Sequence, residues 1–389
     1  MRYIEFEKNL DALRRKRIKR MGVRYKGSGQ RSIYAIYNRG TRKFSGELAL
    51  WMQYIEFARK DKAYKRLNEI LTAVVRLHPI KPELWIYAAN YFMESQADIT
   101  DARSYMQRGL RFCKNSELLW LEYAKLETIY VGKIAGRRRI LGLDEDRTKN
   151  VDAGTDEDMI ALPEITAEDV NPSLRKEDGV DEVALQNLAS APILTGAIPI
   201  AVFESAMKQF KDAPAVAEKF FDMFAEFDQV PCIKRILQHV LEHLEQTAPR
   251  AVETVACSFR MHLFGLHPIS EEFLSALGDA LELLSTAIGQ SNYTAHISEV
   301  ALRQILSLLL SEGAGDMDPA IQKVLHSRLR KCMRSLDEGS SGDGEAIVAL
   351  ARSLQHEGKK SHAQVLVELG LKQWSANEQL QQLHSSWDT

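Results

Sequence analysis

The sequence lacks the close cysteine spacing that zinc ribbons and disulfide frameworks require. Its 389 residues contain four cysteines, which stand far apart and form no C-x-x-C pair. We therefore expect reduced thiols rather than a metal cluster or a disulfide-stabilised fold. The sequence also has no apolar run that approaches the 18 or more residues of a membrane span. These absences argue against a disulfide-rich scaffold and against a transmembrane protein.

Glycine-rich phosphate loops and the G-x-S-x-G nucleophile elbow are absent as well. One catalytic pattern is present, since His239, Glu242 and His243 match the H-x-x-E-H motif of inverted zinc peptidases. On a helix the two histidines would share a face and could ligate zinc, with Glu242 as general base. No third ligand stands out, and the stretch is also the polar end of an amphipathic helix. We predict no catalytic residue, no cofactor and no metal, and keep a zinc-dependent hydrolase as the alternative from a different class.

No β-hairpin signal occurs in the chain, and the strongest pattern present is a spacing of tryptophans. Trp51, Trp85 and Trp120 stand 34 and 35 residues apart, which is the period of tetratricopeptide-like helix pairs. Tyr54 and Tyr123 follow the first and the third tryptophan by three residues, so each shares a helix face with its tryptophan. We predict that these five side chains form the repeat core. Each repeat would consist of two helices that bury their apolar faces only by stacking.

The repeat register also extends backwards from each tryptophan. Apolar residues stand fourteen positions earlier, at Tyr37, Leu71 and Met106. Arginines stand nine positions earlier, at Arg42, Arg76 and Arg111. An Arg–Gly pair recurs before the first and the third tryptophan, at Arg39-Gly40 and Arg108-Gly109.

The remainder of the chain is predicted to be an acidic insertion followed by more helices. Residues 144–182 hold 14 Asp or Glu against 4 Lys or Arg, so we expect 143–187 to be disordered between the repeats at 1–142 and further helical repeats at 188–389. Helical periodicity returns in this last region, with prolines near the starts of several predicted helices. The ten predicted helices are 201–210, 215–227, 232–244, 250–263, 271–288, 295–310, 320–336, 344–356, 361–374 and 378–383. The fold class is all-α.

The first 43 residues are strongly basic, with 14 Lys or Arg against 3 Asp or Glu. A helix over 9–21 is predicted to bury an arc made of Leu10, Leu13, Ile18 and Met21. The candidate contacts with RNA phosphates are Arg15, Lys16, Lys19 and Lys26. A nuclear-localisation signal is the other functional interpretation. The structural alternative is a solvated helix face in which Arg14 and Arg17 pair with acidic residues of a neighbouring helix.

The repeats resemble a known family. Residues 120–127 (W-L-E-Y-A-K-L-E) and 103–110 (R-S-Y-M-Q-R-G-L) are similar to the HAT (half-a-tetratricopeptide) repeat of RNA-processing assemblies. Residues 2–20 and 118–127 further resemble the HAT-repeat subunits of the UTP-B subcomplex of the small-subunit processome, within the U3 small nucleolar RNA-associated proteins. This resemblance covers about residues 1–142. Members of that family begin upstream of the first helix, so we expect the chain to lack its amino-terminal start.

The resemblance implies a right-handed α-solenoid of HAT/TPR-like helix pairs that acts as a non-catalytic scaffold in the nucleus and nucleolus. It would support pre-rRNA processing, 18S rRNA maturation and small ribosomal subunit assembly. The implied partners are other UTP-B subunits, which are β-propeller proteins, with pre-rRNA and small nucleolar RNA as further contacts and neither a membrane nor a small-molecule substrate. Two alternatives remain: a HAT-repeat scaffold in pre-mRNA splicing or 3′-end processing, and direct RNA recognition as the main activity.

Overall fold

The computed structural model describes residues 2–22, 28–140, 194–267, 270–290, 294–310, 318–338, 343–375 and 377–387. Within these ranges every regular element is a helix and none is a strand, so the predicted all-α class is confirmed. The chain divides into two compact units, Met1–Leu126 and Glu127–Thr389. The predicted acidic insertion lies outside the described residues, and the division at 142 and 188 stays a prediction. No helix of the described ranges is long and apolar enough to cross a membrane.

The first unit is built from consecutive helix pairs. Its helices are α1 (Arg2–Met21), α2 (Ser28–Lys43), α3 (Leu48–Lys60), α4 (Tyr64–Leu77), α5 (Pro82–Tyr91) and α6 (Ile99–Phe112), followed by α7 (Glu117–Ile140), which continues into the second unit. The two helices of each pair pack against each other: α1 with α2, α3 with α4, and α5 with α6. Each pair ends where a tryptophan-marked helix begins, so the helix pairs predicted from the tryptophan period are confirmed.

Local sequence signals explain the boundaries of the third pair. Pro82 is the first residue of α5, where its missing N–H costs nothing. The helix ends in a π-turn, Phe92–Gln96, which Ala97 terminates with a positive φ of 55°. The carboxylate of Asp98 then caps α6 by accepting hydrogen bonds from the backbone N–H groups of Thr100 (3.0 Å) and Asp101 (3.1 Å).

The described part of the second unit contains the ten helices predicted from the sequence. They are α8 (Ala197–Phe210), α9 (Pro214–Ala225), α10 (Ile233–Thr247), α11 (Val252–Leu263), α12 (Glu271–Gln290), α13 (Thr294–Leu309), α14 (Pro319–Glu338), α15 (Glu345–His356), α16 (Lys360–Gln373) and α17 (Glu378–Ser385). The largest difference is at α8, which begins four residues before the predicted start. Pro199 lies in the first turn of this helix, where proline is tolerated, so the prediction that the helix begins after this proline is wrong.

Stacked helix pairs also form the core of the second unit. The pairs α9–α10, α11–α12, α13–α14 and α15–α16 pack against each other, and the alternate helices α9, α11 and α13 are in contact as well. This pattern is the one expected when each pair buries its apolar face on the next. At the start of the unit the rings of Phe203 and Phe220 meet edge to face with centroids 5.4 Å apart, and both are fully buried.

Candidate functional site

Each of the three tryptophans forms the same type of hydrogen bond, which their spacing did not reveal. In each case the indole Nε1 donates to the backbone carbonyl six residues earlier: Trp51 to Ser45, Trp85 to Pro79 and Trp120 to Lys114, all at 2.9 Å. The bond fixes the loop before each helix to the ring at the start of that helix. Sequence reasoning missed it because a backbone carbonyl is available at every position.

The burial of the predicted core residues is not uniform. Trp51 and Trp85 are 5% and 1% exposed, and Tyr54 and Tyr123 are also buried. Trp120, by contrast, is only half-buried. The ring of Trp85 is covered by α6, whereas the residues that follow Trp120's own helix, α7, lie outside the described ranges. Four of the five predicted residues therefore lie in the core, and Trp120 keeps part of its ring accessible.

The contacts of Gly109 explain why the Arg108-Gly109 pair has a glycine at its second position. A Cβ at this position would lie 2.8 Å from Cγ and 3.1 Å from Cδ2 of Trp85, so only glycine lets α6 approach the indole this closely. Phe112, one turn further along α6, stacks on the same ring with centroids 5.8 Å apart and planes 15° apart. Gly40, the glycine of the other Arg–Gly pair, is less tightly packed. The nearest atom to a Cβ at this position would be Cδ2 of Leu50 at 3.3 Å, the flexible end of a side chain.

The basic residues of α1 are exposed, but not in the arrangement predicted. Lys16 and Lys19 face solvent, while Nε of Arg15 lies 2.8 Å from Oδ2 of Asp11 in an ion pair. Lys26 lies outside the described residues. The alternative in which Arg14 and Arg17 pair with acidic residues is not observed, because in the described part of the chain both are exposed without an acidic partner. As contacts with RNA, the four predicted residues stay a prediction.

The apolar arc predicted for α1 is only partly buried. Leu10 and Ile18 are half-buried, whereas Leu13 and Met21 are more than half exposed. The residues that α1 buries are Ile4 and Asp11. The carboxylate of Asp11 lies against the first turn of α2, where a Cβ on Gly29 would have no room beside it. Helix amino termini favour such an anion because their N–H groups and dipole point toward it. The buried face of α1 thus contains a charged residue, Asp11, which packs against α2, as well as the apolar Ile4.

A cavity of about 400 Å³ opens between α2, α3 and α4 of the first unit. The Arg66 guanidinium lies 4.4 Å from the centre of the Tyr34 ring, within cation–π distance. The Tyr34 hydroxyl donates a 3.0 Å hydrogen bond to Oδ2 of Asp61. The other carboxylate oxygen, Oδ1, accepts a hydrogen bond from the amide of Gln30. Burial, followed by the hydrogen bond and the charge of Asp61, raises the pKa of Tyr34 well above its usual range. The phenol therefore stays protonated and holds one fixed orientation.

The H-x-x-E-H residues do not converge on a metal site. Nε2 of His239 lies 3.2 Å from Oε1 of Glu204, and Nε2 of His243 lies 3.2 Å from Oδ1 of Asp212. Glu242 accepts a 3.2 Å hydrogen bond from the amide of Gln238, one turn earlier on the same helix. Among the described residues there is no group of three His, Cys, Asp or Glu placed to hold a metal ion. The two imidazoles therefore serve as partners of separate carboxylates.

We expect the purified chain to bind no stoichiometric zinc, because among the described residues no third ligand converges on these histidines. Elemental analysis after dialysis against zinc, with and without the His243→Ala substitution, measures this. One zinc per chain that disappears in the variant would restore the hydrolase alternative.

All four cysteines are free and buried: Cys113, Cys232, Cys257 and Cys332. Burial raises the pKa of each thiol, to about 11 for Cys332. A raised pKa keeps these thiols protonated near neutral pH, and a protonated thiol is a poor nucleophile. These cysteines belong to the packing of the helices.

Comparisons with known proteins give one family match at the amino-terminal end and several relatives. Residues 3–130 match the family model described as Suppressor of forked protein (Suf). U3 small nucleolar RNA-associated protein 6 of Schizosaccharomyces pombe is 35% identical over 164 residues, which is 41% of this chain and 34% of that protein. The homolog of Homo sapiens is 30% identical over 137 residues, which is 34% of this chain and 23% of that protein. The homolog of Dictyostelium discoideum is 22% identical over 276 residues, or 65% and 43%. The chain thus spans less than half of the length of each of these relatives.

Proposed function

We propose that this chain is a non-catalytic scaffold built from HAT repeats. The proposal rests on its similarity to U3 small nucleolar RNA-associated proteins. The scaffold would support pre-rRNA processing, 18S rRNA maturation and small ribosomal subunit assembly in the nucleolus. The observation that carries the proposal is the similarity of this chain to proteins of that name, together with the match of residues 3–130 to the Suf family model. The stacked helix pairs support it, since a repeat array offers a long surface on which several partners can bind together.

An apolar rim along the first unit supports a docking role. Large apolar side chains stand exposed where one repeat joins the next: Phe44, Leu77, Ile80, Phe112 and Leu118. Leu77 and Phe112 occupy the same register position, eight residues before a tryptophan, and each directly follows an exposed register arginine, Arg76 or Arg111. Contiguous apolar surface bordered by polar residues is typical of protein interfaces. We assign this rim to the protein partners, which by family resemblance are the β-propeller subunits of UTP-B.

The basic face of α1 would add a contact with RNA phosphates that does not depend on sequence. Lys16 and Lys19 support this role because both are solvent-exposed. Arg15 is tied to Asp11, so its charge is partly neutralised and it would contribute less. Phosphate contacts of this kind release counterions and therefore weaken steeply as the salt concentration rises.

Reversing the charges of Arg15, Lys16, Lys19 and Lys26 is expected to weaken RNA binding by the full chain and to flatten its salt dependence. The slope of log affinity against log salt should fall by about 0.7–0.9 for each phosphate interaction that the reversal removes. Titrations of single-stranded RNA over a range of salt concentrations measure both quantities. Binding of protein partners should persist, because the apolar rim is untouched.

A matched control reverses four exposed basic residues of the second unit: Lys208, Lys211, Lys234 and Arg235. It changes the net charge equally and should leave the salt slope close to that of the unmodified chain. Equal effects of the two variants would mean that overall charge, not the α1 face, governs binding. The α1 tract would then be assigned to nuclear import or to a solvated face.

A further inference from the structure

The cavity between α2, α3 and α4 combines two residues of the predicted repeat core, Trp51 and Tyr54, with polar residues to which the family resemblance assigns no role. Its wall contains two arginines, an amide, a carboxylate and three aromatic side chains: Arg31, Arg66, Asn38, Glu69, Tyr34, Trp51 and Tyr54. The volume of about 400 Å³ lies within the range of about 300–1,000 Å³ that small-molecule sites occupy. Tyr54 is buried behind the opening, whereas both arginines are exposed at its edge.

The two arginines are available for an anion. In the part of the first unit that the structure describes, neither Arg31 nor Arg66 forms an ion pair with a carboxylate. The position of Arg66 is fixed by a cation–π contact, because its guanidinium lies over the Tyr34 ring. That ring is in turn held by the hydrogen bond from its hydroxyl to Asp61. A guanidinium that already stacks on an aromatic face loses little freedom when it binds phosphate, and its planar fork suits two phosphate oxygens.

The next gap along the array has different residues at the equivalent positions. Thirteen residues before Trp51 stands Asn38, and the equivalent residue before Trp85 is Thr72. The residue that faces this position from the following pair is Ile70 in the first gap and Tyr105 in the second. Tyr105 fills the space and forms a 3.1 Å hydrogen bond with Thr72.

A second contact closes the second gap in the same way. Asn68 takes the position that Tyr34 holds in the first gap, seventeen residues before the tryptophan. Its Oδ1 accepts a 3.1 Å hydrogen bond from the amide of Gln96. The polar groups of the second gap thus bind each other, while in the described structure the side chains of Arg31, Asn38 and Glu69 are left with no such partner.

We propose that this cavity binds one nucleotide of a single-stranded RNA, with its phosphate between Arg31 and Arg66. The amide of Asn38 can donate and accept hydrogen bonds, and the carboxylate of Glu69 accepts them; the base edge and the ribose 2′-hydroxyl offer both kinds of group. Trp51 and Tyr54 provide the apolar wall for the ring. A phosphopeptide could also place its phosphate between the arginines, but its backbone offers no planar ring to the wall of Trp51 and Tyr54, whereas every nucleotide carries a base. The inference deepens the proposed function and rests on it for the source of the RNA.

The test is fluorescence anisotropy with the full chain and a labelled oligouridylate of about ten nucleotides, within the site sizes of single-strand binders. Arg31→Gln and Arg66→Gln each remove a charge-assisted hydrogen bond and should weaken binding about tenfold or more. Both residues are exposed, so these variants retain the core. Ile70→Tyr copies the residue that fills the second gap and should weaken binding to a similar extent without any change of charge.

Arg76→Gln is the matched control, since Arg76 is exposed on the same helix but does not line the cavity. Its affinity should equal that of the unmodified chain. Unchanged affinity in the two cavity arginine variants would overturn the proposal, as would stronger competition by a phosphoserine peptide than by unlabelled oligouridylate. Such a failure leaves the scaffold role standing, because that role is measured by which RNA and proteins co-purify from cells.

Discussion

Replacing Trp85 with alanine is expected to lower the free energy of unfolding by about 3–5 kcal/mol, the cost of a large-to-small change in a packed core. The ring is 1% exposed, stacks on Phe112 and donates a hydrogen bond to the carbonyl of Pro79. Its removal leaves a cavity against Gly109, which has no side chain to fill it. In a repeat array the destabilisation should spread mainly to the adjoining helix pairs.

Trp120→Ala is the matched comparison, because the same hydrogen bond is made by a ring that is only half-buried. Its cost should be clearly smaller, since less buried apolar surface is removed. Urea unfolding followed by circular dichroism gives both values, and hydrogen exchange shows which helices become less protected. Equal costs in the two variants, or a Trp85→Ala cost below about 1 kcal/mol, would contradict the packing described for the first unit.

Gly109→Ala is expected to destabilise the chain by about 1–3 kcal/mol, although alanine is the better helix former. The new Cβ would lie 2.8 Å from Cγ and 3.0 Å from Cβ of Trp85. These are the inner atoms of a buried side chain, which cannot move aside without displacing α5. Overpacking should therefore outweigh the gain in helix propensity.

Two other glycines of the same region provide controls. A Cβ on Gly136 of α7 would meet nothing within 4 Å, so Gly136→Ala should stabilise the chain by about 0.5–1 kcal/mol. Gly40→Ala should fall between the two, because it meets only the flexible end of Leu50. The midpoints of urea unfolding rank the three variants. A stabilising Gly109→Ala would show that α6 does not approach Trp85 as closely as the structure indicates.

The helix pairs were predictable because the signal is repeated. A tryptophan every 34 or 35 residues fixes the period, and the apolar residues Tyr37, Leu71 and Met106, all buried, fix the register. The helices of the second unit were predictable from helical periodicity, and prolines near the starts of several of them indicated where those helices begin. Even there, proline only limits where a helix begins, as the first turn of α8 shows.

The buried face of α1 was not predictable from α1 alone. Periodicity selects the apolar arc, but the neighbouring helix decides which side is covered, and α2 covers Asp11 through its own first turn. The cavity has a comparable origin. It depends on the difference between Ile70 and Tyr105 at the same register position, and aligning the repeats on their tryptophans would have revealed it.

The most direct test of the central claim is to purify the tagged chain from cells and identify the RNA and proteins that accompany it. A scaffold of the small-subunit processome predicts enrichment of small nucleolar RNA and of the ribosomal RNA precursor, together with β-propeller proteins. Enrichment of splicing or 3′-end processing factors, or of no RNA at all, would contradict it.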